Sequence, residues 1–213
     1  MTALLAGASG LVGREIARQR QGRGRLHLLV RRPLHDKAPG HSVHVVDFAA
    51  LPPLPRADEA YCALGTTIKA AGSQAAFRAV DHDAVLAFAR AALAAGVRRF
   101  GVVSAQGADA KSPIFYSRVK GEMEQALAAL GFASLVIARP SLLVGDRAAL
   151  GQPPRRGEAL AAALTRPLAG FIPKAWRPIA AERVARALLA AVTEARPGLR
   201  VLTSGQMQEL GAP

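Results

Sequence analysis

Residues 1–13, MTALLAGASGLVG, decide how the rest of the chain is read. Thr2–Ala6 is a short apolar run of strand character, glycines follow at positions 7, 10 and 13, and REIARQR then continues as a helix. Strand, tight glycine turn, helix is the order a dinucleotide site requires. One glycine lets the chain turn sharply, another lets backbone approach a pyrophosphate, and a third lets helix and strand pack closely, while the helix start offers unpaired N–H groups to the phosphates. On this reading Gly7, Ser9, Gly10, Leu11, Val12 and Gly13 form the phosphate cradle. The spacing G-x-x-G-x-x-G is a variant of the commoner fingerprint, and in a chain with 20 glycines an ordinary turn reads the same way, so the context must decide.

Outward from that turn, apolar runs recur at 26–30 (LHLLV), 42–46 (SVHVV), 58–64 (DEAYCAL), 99–104 (RFGVVS) and 133–139 (ASLVIAR). Helical patterns separate them, over 73–95 as one or two helices and over 113–130, stopped by Gly96 and Gly131. Such alternation predicts an α/β fold, a doubly wound, mostly parallel sheet with its ligand crevice at the carboxyl ends of the strands. The remainder reads as a loop over 145–157, helices near 158–164 and 181–194, and a last strand near 199–203. Val184, Leu188, Leu189 and Val192 make an apolar stripe at helical spacing, expected to face the core. The 213 residues suit one domain, in which residues from about 140 onward add a small C-terminal cap.

Composition excludes several functions. No apolar run approaches the roughly 18 residues a membrane span needs, and no secretory signal precedes the first strand, so a soluble, cytoplasmic protein is expected. The lone Cys62 forms no internal disulfide. Net charge is +13, but the 28 basic residues are scattered among alanines and aromatics are only 5%, which argues against a nucleic-acid stacking platform. His27, His35, His41, His44 and His82 lack metal-ligand spacing, apart from His41 and His44 at a strand start, and no metal is expected.

The cofactor half extends beyond the glycines. Position 31 follows the second strand, where an NAD site places an acid on the ribose 2′-hydroxyl, and here Arg31 and Arg32 stand instead. A guanidinium fork suits a 2′-phosphate, so the charge argues for NADP over NAD; two arginines simply ending a strand is the plainer alternative. Asp47, after the third strand, could accept from an adenine amino group or act as a solvated turn acid. Ala63, Leu64 and Gly65 end the fourth strand where backbone would pass a ribose or merely turn. Cys62 beside them reads as a packed side chain, since no histidine is near it in sequence to form a thiolate pair.

The chemical half is YSRVK. Tyr116 and Lys120 lie four apart on one helix face. A nearby ammonium stabilises a phenolate, which makes Tyr116 a candidate general acid or base. Lys120 could also hold the nicotinamide ribose hydroxyls, and Ser104, at the end of the preceding strand, could orient a substrate oxygen. Alone, Tyr-x-x-x-Lys usually marks a solvated face; downstream of a glycine-rich first turn and a strand-end serine it reads as a site.

These motifs, GASGLVG at 7–13, CALGTTIKAAGS at 62–73, VVSAQGAD around Ser104, FYSRVKGEME at 115–124 and ARPSLLVGDR at 138–147, resemble the extended and atypical short-chain dehydrogenase/reductases, and within them the Tat-interacting-protein-like oxidoreductases. The resemblance implies a Rossmann-type domain, NADP, a small-molecule substrate, and Ser104, Tyr116 and Lys120 as the catalytic trio, with Pro140 and Leu143 at the nicotinamide end. It also implies a homodimer through the helices around 80–95 and 113–130. The family often carries an asparagine in the helix after the fourth strand; VDHD here has Asp81 at the matching place. Three functions share these parts: an NADP-dependent oxidoreductase for a carbonyl or alcohol, an NADPH sensor or scaffold, and a nucleotide-sugar epimerase or dehydratase.

Overall fold

The last four residues of β1 (Thr2–Ala6) are all buried, which is the pattern of a strand covered on both faces. The computed structural model, which describes residues 1–34, 38–145 and 176–212, places β1 in the interior of a seven-stranded sheet. With β2 (Arg25–Val30), β3 (His41–Val45), β4 (Glu59–Cys62), β5 (Arg99–Val103), β6 (Ser134–Arg139) and, later in the chain, β9 (Gly198–Thr203), the order is β3-β2-β1-β4-β5-β6-β9, every pair parallel. A separate parallel pair joins β7 (Leu143–Val144) to β8 (Ile179–Ala180). The order reverses direction between β1 and β4, and the crevice beyond their carboxyl ends is the place such a sheet offers a ligand.

Alternation along β1 distributes its side chains to two cores. Ala3 and Leu5 join Val12 and Ile16 of α1 (Leu11–Gln19) and Val184, Leu188 and Val192 of α6 (Ala181–Glu194). Leu4 and Ala6 face the other way, with Phe88 of α4 (Ala84–Ala94) and Met123 and Leu127 of α5 (Phe115–Ala128). The expected stripe of α6 is therefore core. At the amino end of the sheet, Arg20 forms a buried ion pair with Glu59 and its guanidinium lies 5.6 Å over the Tyr61 ring, tying the end of α1 to β4.

The stretch 73–95 is more broken than its periodicity predicts. It begins with α3 (Gln74–Arg78), passes through a π-helical turn at Ala79–Asp83, and only then becomes α4. A short helix missed in the sequence, α2 (Ile68–Ala71), precedes it. Thr67 and Ser73 cap these pieces by accepting from the N–H groups of Ala70 and Ala76, the local hydrogen bonding that draws such residues to helix starts. A closing helix, α7 (Ser204–Leu210), also lies outside the elements the sequence predicts; its capping box joins Thr203 with Gln206. The expected helix at 158–164 and all of the loop at 145–157 except Gly145 lie outside the described residues.

Candidate functional site

The glycine turn is built by close backbone approach. Gly7 has φ +86°, and a Cβ there would lie 2.5 Å from the carbonyl carbon and oxygen of Ala63. At Gly13 a Cβ would sit 2.0 Å from the Gly7 oxygen, so α1 packs directly on the turn. Gly10 is the helix N-cap: its N–H donates to the Gly7 oxygen at 3.0 Å, and neither a capping side chain nor a first-turn acid occupies the helix start. The first-turn N–H groups thus keep their positive end for an external anion.

Beside the turn lies a cleft of about 470 Å³ lined by Arg31, Asp47, Phe48, Leu64, Val80 and Ala87 among others, within the size range of small-molecule sites. Arg31 and Asp47, chosen from their positions after β2 and β3, are brought together there. Arg32 is exposed and is not among the lining residues. The Asp47 carboxylate accepts from the Ala49 N–H at 2.9 Å, which gives it a turn-holding role.

Ser104 follows β5 directly. Its N–H donates to Ala138 at 2.7 Å, fixing its place next to β6, while its Oγ is buried with no hydrogen-bond partner among the described residues. Such an orphaned hydroxyl costs free energy unless a ligand satisfies it. On α5, Tyr116 is half-buried and its ring packs 5.3 Å from that of Phe77. Lys120 is buried, and its Nζ meets Asp81 Oδ1 at 2.8 Å. Burial works to lower the ammonium's pKa, but the Asp81 carboxylate and then Tyr116 more than offset it and lift the value above the ordinary one. Cys62 is fully buried nearby, and loss of hydration pushes its thiol up to about 12, which agrees with a packed side chain and not a nucleophile.

α5 is held by a contact its sequence announces only as a glycine. A Cβ on Gly121 would lie 2.0 Å from the Ala110 nitrogen, so the loop after β5 rests on the helix backbone one residue past Lys120. The same loop donates from Gln106 N–H to the Pro140 oxygen at 2.9 Å. Pro140 is buried, and Leu143 lies in β7, partly buried against the α1 and α6 core. Asp81 is the member of the site the sequence left without a role.

No family model matches the chain. The rat protein HTATIP2 is 35% identical over 182 residues, 81% of this chain and 72% of that protein. The mitochondrial protein FMP52 of Debaryomyces hansenii is 32% identical over 155 residues, 69% of each chain. That of Emericella nidulans is 48% identical over 85 residues, 40% of this chain and 36% of its own. Among solved structures, MoeE5 in complex with UDP-glucuronic acid and NAD superposes with a TM-score of 0.72 at 21% identity, covering 95% of this chain and 75% of that one. The UDP-N-acetylglucosamine 4-epimerase of Methanobrevibacter ruminantium M1 gives 0.71 at 12% identity, covering 95% and 76%. Such distant structural likeness speaks to the fold.

Strand order, glycine turn and chain-wide similarity together define an atypical short-chain dehydrogenase/reductase of the NAD(P)-binding Rossmann class. Within that class the chain belongs to the HTATIP2 family, which it shares with the fungal FMP52 proteins. The expected cytoplasmic location does not stand against these relatives: the fungal members are named mitochondrial. Among the described residues no helix is long and apolar enough to cross a membrane.

Proposed function

We propose that this protein is an NADP-dependent oxidoreductase acting on a small carbonyl or alcohol through Ser104, Tyr116 and Lys120. The observation that carries the reading is the buried Ser104 hydroxyl at the end of β5, without a hydrogen-bond partner among the described residues, with the ion-paired Lys120 on the helix that follows. The residues present fit a nicotinamide dinucleotide: an uncapped α1 start and close-packed Gly7 and Gly13 for the pyrophosphate, and a cleft with Asp47 and Leu64 for the adenosine. Arg31, exposed on that cleft, supports a 2′-phosphate and hence NADP.

When bound, the nicotinamide supplies or accepts the hydride. In the reducing direction Ser104 Oγ donates to the substrate carbonyl oxygen and holds it, and the Tyr116 hydroxyl gives that oxygen its proton; solvent then returns a proton to Tyr116. Lys120 stabilises the phenolate so formed and holds ribose hydroxyls. Loss of the Tyr116 proton donor should remove turnover without removing the cofactor. Tyr116→Phe is expected to lower kcat by at least about 100-fold, within the span typical of general acid–base catalysis, with NADPH affinity nearly unchanged. Equal turnover of the variant and the parent on a confirmed substrate would refute the assignment.

A further inference from the structure

Lys120 is held by a group outside the Ser104, Tyr116 and Lys120 trio. Its Nζ lies 2.8 Å from Asp81 Oδ1, and the two side chains are 4% and 1% exposed. The second carboxylate oxygen, Oδ2, accepts the Thr66 N–H at 2.8 Å. One carboxylate thus fastens the loop after β4 to α5. Gly65 adjoins the junction: a Cβ there would make ordinary contact, 3.4 Å from Asp81 Oδ1 and 4.0 Å from Lys120 Nζ. Asp81 comes from the π-helical turn Ala79–Asp83, and such single-turn insertions commonly occur at functional sites.

We propose that Asp81 is a positioning residue, the fixed counter-ion that keeps the buried Lys120 charged and in place beside Tyr116. This rests on the proposed oxidoreductase site. An ammonium so far from water loses its proton readily unless an opposite charge holds it. An amide at position 81, the residue the family resemblance leads one to expect, would accept a hydrogen bond from Lys120 but bring no charge. A carboxylate makes the pair neutral overall while leaving the proton on Nζ. The other titratable groups acting on Nζ are Tyr116, from its own helix, and the Cys62 thiol of β4.

The test uses the full chain labelled with 13C at lysine Cε and titrated by NMR without cofactor. Five lysines are present, and Lys120→Met assigns the signal. In the parent, Lys120 is expected to stay charged at pH values where the exposed lysines have titrated. In Asp81→Asn its midpoint should fall by at least about one pH unit, a tenfold change in proton affinity. An unchanged Lys120 midpoint in folded Asp81→Asn overturns the proposal. If Asp81→Asn does not fold, the parent decides: a Lys120 midpoint at or below that of the exposed lysines overturns it. The alkaline limb of kcat/KM should move with the Lys120 midpoint in Asp81→Asn; a midpoint that moves without that limb refutes the positioning role. Because the NMR titration needs no turnover, failure of the oxidoreductase reading remains distinguishable from failure of the counter-ion.

Discussion

Replacing Gly13 by alanine tests the packing on which the cofactor turn depends. The new Cβ would lie 2.0 Å from the Gly7 oxygen, 2.7 Å from the Gly7 carbonyl carbon and 3.0 Å from Ala8 Cα. All three are backbone atoms, so no side chain can swing aside. Restoring ordinary contact moves the start of α1 away from the turn by more than about 1 Å, which disturbs Val12 and Ile16 in the core they share with β1. Overpacking typically costs about 1–3 kcal/mol, and a site enclosed by backbone belongs at the upper end. For a chain of this length about 3 kcal/mol corresponds to a fall in Tm of about 6–12 °C. The same displacement draws the first-turn N–H groups off a bound phosphate; loss of one charge-assisted hydrogen bond, about 1.5–3 kcal/mol, weakens NADPH about tenfold or more. Gly10→Ala is the control, since its Cβ would come no nearer than 3.4 Å to the Gly7 oxygen; the weaker cap costs about 1 kcal/mol at most. Thermal unfolding followed by circular dichroism gives the ranking, and a Gly13→Ala midpoint equal to that of Gly10→Ala would mean that α1 does not rest on the turn at Gly13.

Two other outcomes follow from buried groups. His27 is buried on β2 and its Nδ1 lies 2.8 Å from His44 Nε2 on β3; burial, then His44 and Arg25, hold its pKa below the ordinary value. The unfolded chain therefore binds the proton more readily, so this contribution to stability is complete above about pH 6.5 and is lost as pH falls through the range below it. Thermal midpoints should drop between pH 7 and 5, less steeply in His27→Asn, and an identical slope in that variant would contradict the assignment. Cys62, with its thiol pushed up to about 12 by burial, should resist iodoacetamide at pH 8 in the native state and react once the chain is unfolded in urea; rapid native labelling would show the site to be open.

The sheet was legible because its strands are short apolar runs separated by helices, and buried parallel strands carry that signal at every position. The glycine turn was legible for a related reason: Gly7 and Gly13 are demanded by backbone contacts that leave no room for a side chain. Arg31 and Asp47 could be placed because they follow strands whose carboxyl ends share one edge of the sheet. The break in the 73–95 helix was not legible, since a π turn needs one extra residue per turn and alanine fits either helix equally well. The pairing of Asp81 with Lys120 spans 39 positions and depends on that same turn, so spacing alone could not reveal it. The cytoplasmic expectation failed for a different reason: it rested on the absence of a signal, and absence carries little weight beside relatives named mitochondrial.

In the proposed function Arg31 makes this an NADP site serving a reductase. Isothermal titration calorimetry of the full chain with NADPH and with NADH tests it directly. A guanidinium on the 2′-phosphate is worth about 1.5–3 kcal/mol as a charge-assisted hydrogen bond, so NADPH should bind at least about tenfold more tightly, with the difference lost in Arg31→Ala. NADH binding as tightly as NADPH, or more tightly, would rule out a 2′-phosphate role for Arg31.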